Sequence, residues 1–244
     1  MKAKDCGYID IHSHIIPGVD DGARSKEMCI QMLNKAYEQG IRTIVATPHF
    51  EPPKYSNSDT ILTMYEFVQS EAQKISKEFQ IILGNEIYYS SGMIDALQEQ
   101  KAFTIGETRY VLVEFHPSVE YKVLEDGIRR LIIEGYLPII AHMERYTCLW
   151  KKETRIQTII DLGCYLQINC KSLMGGRLNQ RSAYLTKLVK NGMIHFLGTD
   201  SHNMGERIPN MGDCVAHLSK KISRERLHEI TYKNASIMLS DSHI

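Results

Sequence analysis

The feature that most constrains this chain is a recurring unit: a short β-branched run, a longer stretch with apolar residues at helical spacing, and often a glycine just before the next run. Strand patterns fall at residues 7–12, 41–47, 79–83, 109–115, 136–142, 164–169 and 193–199. Helical patterns fall between them. Residues 26–39 carry Cys29, Leu33, Ala36 and Tyr37 on one face, and residues 59–77 carry Ile61, Tyr65, Val68, Ala72 and Ile75. Further helices are predicted at 92–100, 121–134, 154–162, 180–190 and 223–232. Gly40, Gly135, Gly163 and Gly192 each stand after a helical pattern and before a strand, where a left-handed C-cap lets the chain reverse. Serial βα units build a parallel sheet covered by helices. Seven of them predict an α/β fold of the TIM-like barrel kind, closed or nearly so, with a doubly wound open sheet as the competing arrangement. No linker or low-complexity stretch divides the chain, and only residues 51–58 read as a long surface loop, so a single domain over residues 1–244 is expected.

Charge removes several function classes. With 29 Lys and Arg against 29 Asp and Glu, the formal net charge is zero, which gives no one-sign footprint for nucleic acid or a membrane surface. The longest apolar runs, such as the one within 136–141, fall far short of the ~20 residues that span a bilayer, so no membrane insertion is expected. The first residues lack an apolar core and predict no secretory leader. The six cysteines, at 6, 29, 148, 164, 170 and 214, form no C-x-x-C pair, and reduced thiols point to a cytoplasmic protein.

Metal-type side chains cluster where the strand patterns end. His12 and His14 end the first, His49 the second, Glu86 the third, Glu114 the fourth and His142 the fifth, while Asp200 and His202 follow the last. In a parallel barrel all these ends meet at one face, so residues spread over most of the chain are expected to converge. His12 and His14 are two apart and share a face on an extended segment, as does Asp10, which reads as a carboxylate orienting a histidine. Asp20-Asp21-Gly22 alone would be a turn leading to a helix cap; beside the His-x-His pair, Asp21 is a candidate ligand. Imidazoles mixed with carboxylates suit Mn, Fe or Zn, and the nine candidates His12, His14, Asp21, His49, Glu86, Glu114, His142, Asp200 and His202 exceed what one tetrahedral ion uses. A site of two or three divalent ions is expected. Their charge, about +4 to +6, against four carboxylates leaves a pocket suited to a phosphate dianion. Arg145 and Arg207 follow two of the ligand motifs in loops at the same face, where a guanidinium can grip phosphate oxygens. Asn169 ends the sixth strand at this rim, serving either a turn or the site. His116 reads as a loop or supporting residue, His195 as a packed histidine, and His217, His228 and His243 as surface residues. A thiolate phosphatase is disfavoured, since Cys170 to Arg177 and Cys148 to Arg155 each enclose six residues instead of the five that a Cys-x5-Arg loop requires.

Residues 9–14 (Ile-Asp-Ile-His-Ser-His), 19–22 (Val-Asp-Asp-Gly), 46–49 (Ala-Thr-Pro-His), 84–89 (Gly-Asn-Glu-Ile-Tyr-Tyr), 113–115 (Val-Glu-Phe), 139–145 (Ile-Ile-Ala-His-Met-Glu-Arg) and 199–203 (Thr-Asp-Ser-His-Asn) together resemble the PHP (polymerase and histidinol phosphatase) superfamily. More closely, they resemble its manganese-dependent protein tyrosine phosphatases from bacterial capsule and exopolysaccharide loci. That resemblance implies a distorted (β/α)7 barrel and a trinuclear manganese centre. It implies one ion at His12, His14, Glu86 and Asp200, a second at Glu86, Glu114 and His142, and Asp21, His49 and His202 around the rest. It also implies a substrate, the phosphorylated tyrosine-rich tail of a cognate bacterial tyrosine kinase that regulates polysaccharide export.

The expected reaction is phosphotyrosine hydrolysis by metal-activated hydroxide, with Arg145 and Arg207 steadying the phosphate, Asp200, His202 or a metal-bound water as proton source, and no cysteine nucleophile. Two other readings compete: a small-molecule phosphatase such as one acting on histidinol phosphate, and a metal-stabilised docking module without turnover.

Overall fold

Strands and helices alternate from end to end. In chain order they are β1 (Tyr8–Ser13), α1 (Lys26–Glu38), β2 (Ile41–Ala46), β3 (His49–Phe50), α2 (Asp59–Ile75), β4 (Gln80–Leu83), β5 (Glu86–Tyr88), α3 (Met93–Gln98), β6 (Tyr110–Glu114), α4 (Tyr121–Ile133), β7 (Leu137–Ile140), α5 (Glu153–Asp161), β8 (Tyr165–Asn169), α6 (Cys170–Leu173), α7 (Gln180–Lys190), β9 (Phe196–Gly198), α8 (Met211–Leu218), α9 (Arg224–His228) and α10 (Asn234–Leu239). The structure, a computed structural model, describes residues 7–175 and 179–244. Cys6, the N-terminal residues read for a leader, and Arg177 lie outside the described residues.

Local chemistry sets the helix ends. Ser25 caps α1 by accepting from the Met28 N–H, and Asn179 caps α7 by accepting from Arg181 and Ser182. At the other ends Gly40, Gly135, Gly163 and Gly192 all have φ between 80° and 100°, the left-handed conformation expected of them.

The named strands pair only in parallel, in the orders β1-β2-β4 and β3-β5-β6-β7-β8-β9. These are seven passes of chain, two of them broken. One break falls at Thr47-Pro48, where proline has no N–H to give, and one at Gly84-Asn85. The Asn85 side chain bridges the gap, donating to Pro48 O at 2.9 Å and accepting from the Phe103 N–H at 2.7 Å. The ring closes between β9 and β1: Asp200 N–H donates to His12 O at 2.8 Å and His14 N–H to Ser201 O at 2.9 Å. Between β4 and β6 no ladder forms among the described residues, and the turn Ile105–Glu107 fills the space. The result is a distorted α/β barrel, not an open doubly wound sheet.

Ile9, Ile11, Val45, Leu112, Ile139 and Phe196 fill the interior, each fully or almost fully buried, and Ala235 and Met238 of α10 join them. Tyr110 Oη donates to Ser242 O at 2.6 Å, and Arg109 Nε lies 3.1 Å from Asp241. The C-terminal segment therefore closes the barrel at the N-terminal ends of the strands, which leaves the opposite mouth for chemistry.

Some expectations need correction. The last strand is only Phe196–Gly198, and β7 stops at Ile140, two residues before His142. The helix predicted over 223–232 ends at His228 and continues as a π turn, Glu229–Lys233, into α10. Helix α8 was not anticipated, although Met211, Cys214 and Leu218, its buried face, have helical spacing. No helix of the described residues is long and apolar enough to cross a membrane.

Candidate metal centre

Glu86 opens β5 at the centre of the open mouth and is 1% exposed. Its Oε2 lies 3.2 Å from both His12 Nε2 and His14 Nε2 and 3.1 Å from His49 Nδ1; its Oε1 lies 2.7 Å from His142 Nε2. Asp200 Oδ1 is 3.5 Å from His12 Nε2 and 3.6 Å from His14 Nε2. Glu114 Oε1 is 3.4 Å from His142, and Asp21 Oδ1 is 3.3 Å from His49 and 3.4 Å from His202. All nine candidate ligands from the sequence thus meet in one place. They fall into four overlapping sets able to hold an ion: His12, His14 and Asp200; His12, Glu86 and His142; His49, Glu86 and Glu114; and His14, Asp21, His49 and His202.

The hydrogen bonds around the rings decide which nitrogens face inward. Gln167 donates through Nε2 to Asn169 Oδ1, so its Oε1 accepts, taking His12 Nδ1–H at 3.2 Å and His142 N–H at 2.7 Å. His14 Nδ1–H donates to Asp20 Oδ2 at 2.7 Å, and His202 Nδ1–H to the Asp200 carbonyl at 3.0 Å. Each ring therefore turns its Nε2 lone pair toward the carboxylates. His12 Nε2 and His14 Nε2 face each other at 3.2 Å, and His202 Nε2 is buried with no hydrogen-bond partner. Lone pairs and carboxylates cannot satisfy one another without positive charge between them, so the donor set fits divalent cations. Its make-up, imidazole and carboxylate without thiolate, suits borderline and hard metals.

The titration of these groups tells the same story. Burial would discharge His14, yet Asp20 and Glu86 outweigh it and lift the imidazole to about 10. Burial likewise works against the Glu86 carboxylate, but His12 and His142 hold it well below the usual range. Glu114 moves the other way, raised by burial and by the charge of Glu86. The carboxylates thus favour positive charge beside them, which bound cations would supply in place of protons.

Two candidate ligands sit in strained backbone. His142 has φ 31° and Asp200 φ 51°, in the left-handed region disfavoured for side chains with a Cβ. The Gln167 carboxamide holds the first through its N–H, and His12 O holds the second. Close approach matters too: a Cβ on Gly198 would lie 2.7 Å from His12 Cβ and 2.8 Å from Gln167 Nε2.

Arg145 and Arg207 are half-buried at one side and converge on Asp200. Arg145 Nη2 is 2.5 Å from Asp200 Oδ2, and Arg207 Nη2 bonds Oδ1. Asn169 Nδ2 completes the cradle at 2.7 Å. Beside them opens a cavity of about 410 Å³, lined in part by Arg145, Asn169, Thr199, Asp200 and Arg207.

Asp10 departs from its expected role. Between the pairings Asp10↔Ile44 and Ser13↔Ala46, β1 has one residue more than β2, a bulge that breaks the two-residue alternation. Its carboxylate bonds Thr199 N–H at 2.9 Å and the Thr199 hydroxyl, stitching β1 to β9 instead of orienting a ring. Gln167 and Asp20 hold the rings in its place. Neither was anticipated: Gln167 hides inside an apolar strand, where a lone amide was the only signal, and Asp20 adjoins the better candidate Asp21. His116 is exposed and bonds Ser118, while His195 packs against Tyr165 away from the centre.

Residues 8–240 match the family model described as capsular polysaccharide synthesis, CpsB/CapC. Tyrosine-protein phosphatase CpsB of Streptococcus agalactiae serotype V is 31% identical, over 97% of this chain and 100% of its own. Tyrosine-protein phosphatase YwqE of Bacillus subtilis is 30% identical, over 97% and 93%. A crystal structure from a pair described as YwqE of Bacillus subtilis and CpsB of Streptococcus pneumoniae, unique metal-dependent tyrosine phosphatases, superposes with a TM-score of 0.87 at 29% identity, covering 97% of this chain and 96% of that one.

Proposed function

Because this chain belongs to the CpsB/CapC family of capsular polysaccharide synthesis, we propose that its barrel mouth is a metal-dependent protein-tyrosine phosphatase site, carried on one domain spanning residues 1–244. The observation that carries the reading is the convergence of eight imidazoles and carboxylates around Glu86, beside two arginines held on Asp200. The ions are two or three manganese ions, with iron or zinc as the alternatives the donor set permits. His12, His14 and Asp200 would hold one; Glu86, shared, would reach a second with Glu114 and His142; Asp21, His49 and His202 would hold the remaining positions.

Divalent cations bound there supply Lewis acidity toward phosphate oxygens and bring the pKa of water near neutrality. The chain's own residues do the rest. Arg145 and Arg207 present guanidinium N–H groups to the equatorial phosphate oxygens, and Asp200 with Asn169 fixes where those groups point. Burial opposes the Asp200 charge, but His12, His14 and Arg145 hold the carboxyl well below its usual range, so Asp200 is no proton donor. His202 has one free ring nitrogen and cannot both hold a metal and deliver a proton. We assign it to the metal. A phenolate leaves with an ordinary pKa of about 10, so it needs less protonation help than an alkoxide. Cys170 takes no part: it is fully buried, and contact with Cys214 together with burial pushes its thiol well above the usual range.

The substrate is the phosphotyrosine-bearing tail of a cognate bacterial tyrosine kinase, met in the cytoplasm. Chelation should abolish hydrolysis of a phosphotyrosyl peptide and added manganese restore it. His142→Ala should lower kcat/KM by at least about 100-fold, while Cys170→Ser stays within about twofold. The reverse pattern would sink the mechanism, and strong preference for histidinol phosphate over the peptide would sink the substrate.

A further inference from the structure

Next to the phosphate-side cavity lies a second of about 660 Å³, and the two share Arg145, Lys171, Ser172, Glu206, Ile208 and Asn210 in their walls. They form one cleft running outward from Asp200 and Arg207, past Lys171, to Arg181. Its cations are poorly neutralised. Arg145 and Arg207 share the single carboxylate of Asp200. Lys171 and Arg181 are both exposed and make no ion pair among the described residues: Lys171 Nζ donates to the carbonyl of Glu206 at 2.9 Å, and Arg181 Nη2 to the carbonyl of Glu144. Arg181 also lies over the Trp150 ring, 5.5 Å from its centroid, which orients the guanidinium without spending its charge. Glu144 adds its charge to that of Asp200 beside Arg145, but among the described residues neither it nor Glu206 pairs with Lys171 or Arg181. Glu144 is buried and turned to the Asn169 N–H and the Ser172 hydroxyl, while Glu206 is exposed at the mouth and bonds Lys171 only through its carbonyl.

We propose that this cleft is a specificity subsite in which Lys171 and Arg181 bind acidic side chains of the peptide flanking the phosphotyrosine. The proposal rests on the phosphatase reading for the position of the phosphotyrosine and adds the chemistry of what surrounds it. A phosphate held by Arg145 and Arg207 places the neighbouring residues of a bound chain along this cleft, where two unpaired cations favour Asp and Glu and disfavour Lys and Arg. Such contacts are solvent-screened, so they set preference more than total affinity.

The test uses the full chain and three peptides identical except that the residues around a non-hydrolysable phosphonate analogue of phosphotyrosine are Glu, Gln or Lys. Binding is read by fluorescence anisotropy, and turnover of p-nitrophenyl phosphate by the manganese-loaded protein is followed separately. The Glu peptide should bind about three- to tenfold more tightly than the Gln peptide, with the Lys peptide weakest, and the margin should shrink in high salt. Lys171→Gln and Arg181→Gln, singly and together, should erase the Glu preference and leave p-nitrophenyl phosphate turnover within about twofold. Because each lysine or arginine is exposed, each single variant is an independent check on the other. Equal binding of the Glu and Gln peptides by the unaltered protein would overturn the subsite. Absence of p-nitrophenyl phosphate turnover by the unaltered manganese-loaded protein, with the Glu preference intact, would instead overturn the phosphatase reading and support the cleft.

Discussion

Three of the five imidazoles at the barrel mouth have a group behind the ring that fixes the tautomer. His12 depends on Gln167, His14 on Asp20 and His202 on the Asp200 carbonyl. The Gln167 carboxamide carries the most: it receives His12 Nδ1–H and the N–H of the left-handed His142, and it braces Asn169. Gln167→Met should keep the fold but free the His12 ring and the His142 backbone. Metal affinity, measured by titration against a competing chelator, should fall about 10- to 100-fold, whereas an unchanged affinity would show that the ring is held some other way. At this scale the sequence revealed the candidate ligands and hid their supports. A histidine at a strand end announces itself, while a glutamine between Leu166 and Ile168 takes its meaning only from His12, 155 residues away.

Elements show where pattern reading succeeds and where it stops. The four helix-stopping glycines were legible because a left-handed residue is a local requirement. The broken passes were not, since the pairing His49↔Glu86 and Phe50↔Ile87 involves runs of two and three residues, too short to show periodicity. The lead into β9 is held by a residue whose role depends on such pairing. His195 N–H donates to Leu166 O, Leu166 N–H donates back to His195 Nδ1, and Asn234 bonds the His195 carbonyl. Burial, aided by the Arg226 charge, pushes this imidazole down to about 4 from an unfolded value of 6.5. The unfolded chain therefore binds the proton first as pH falls, so the stabilisation is complete above pH 6.5 and is lost as pH drops toward 4. It amounts to about 3 kcal/mol. His195→Asn, which keeps an acceptor for Leu166 but does not titrate, should flatten that part of the stability profile in urea unfolding at pH 7, 5.5 and 4.5. Parallel profiles for the two proteins would refute the assignment.

Across the whole molecule, closure of the barrel gathers charge that the chain keeps apart. Net charge is zero over 244 residues, yet one mouth concentrates four carboxylates and five histidines within reach of a few ions. Cations that bind this folded arrangement and not the unfolded chain must stabilise it, by about 2.7 kcal/mol at a free metal concentration 100 times the Kd. For a chain of this size that is about 5–10 °C in Tm. Removing metal with a chelator should lower the midpoint in differential scanning calorimetry by that order, with a dependence on metal concentration. A midpoint indifferent to chelation and to added manganese would mean that the cluster binds no ion tightly. The sequence by itself determined the repeating βα architecture, the ligand types and the two arginines, because periodicity, left-handed turns and side-chain chemistry are properties of neighbouring residues. Only the tertiary structure decided that Glu86 sits at the centre, that Asp10 ties strands together, that Gln167 and Asp20 aim the rings, and that Lys171 and Arg181 extend the mouth into a cationic cleft. Those outcomes depend on register, on one bulge in β1 and on the closure of β9 against β1, which bring together groups far apart along the chain and so leave no local trace in it.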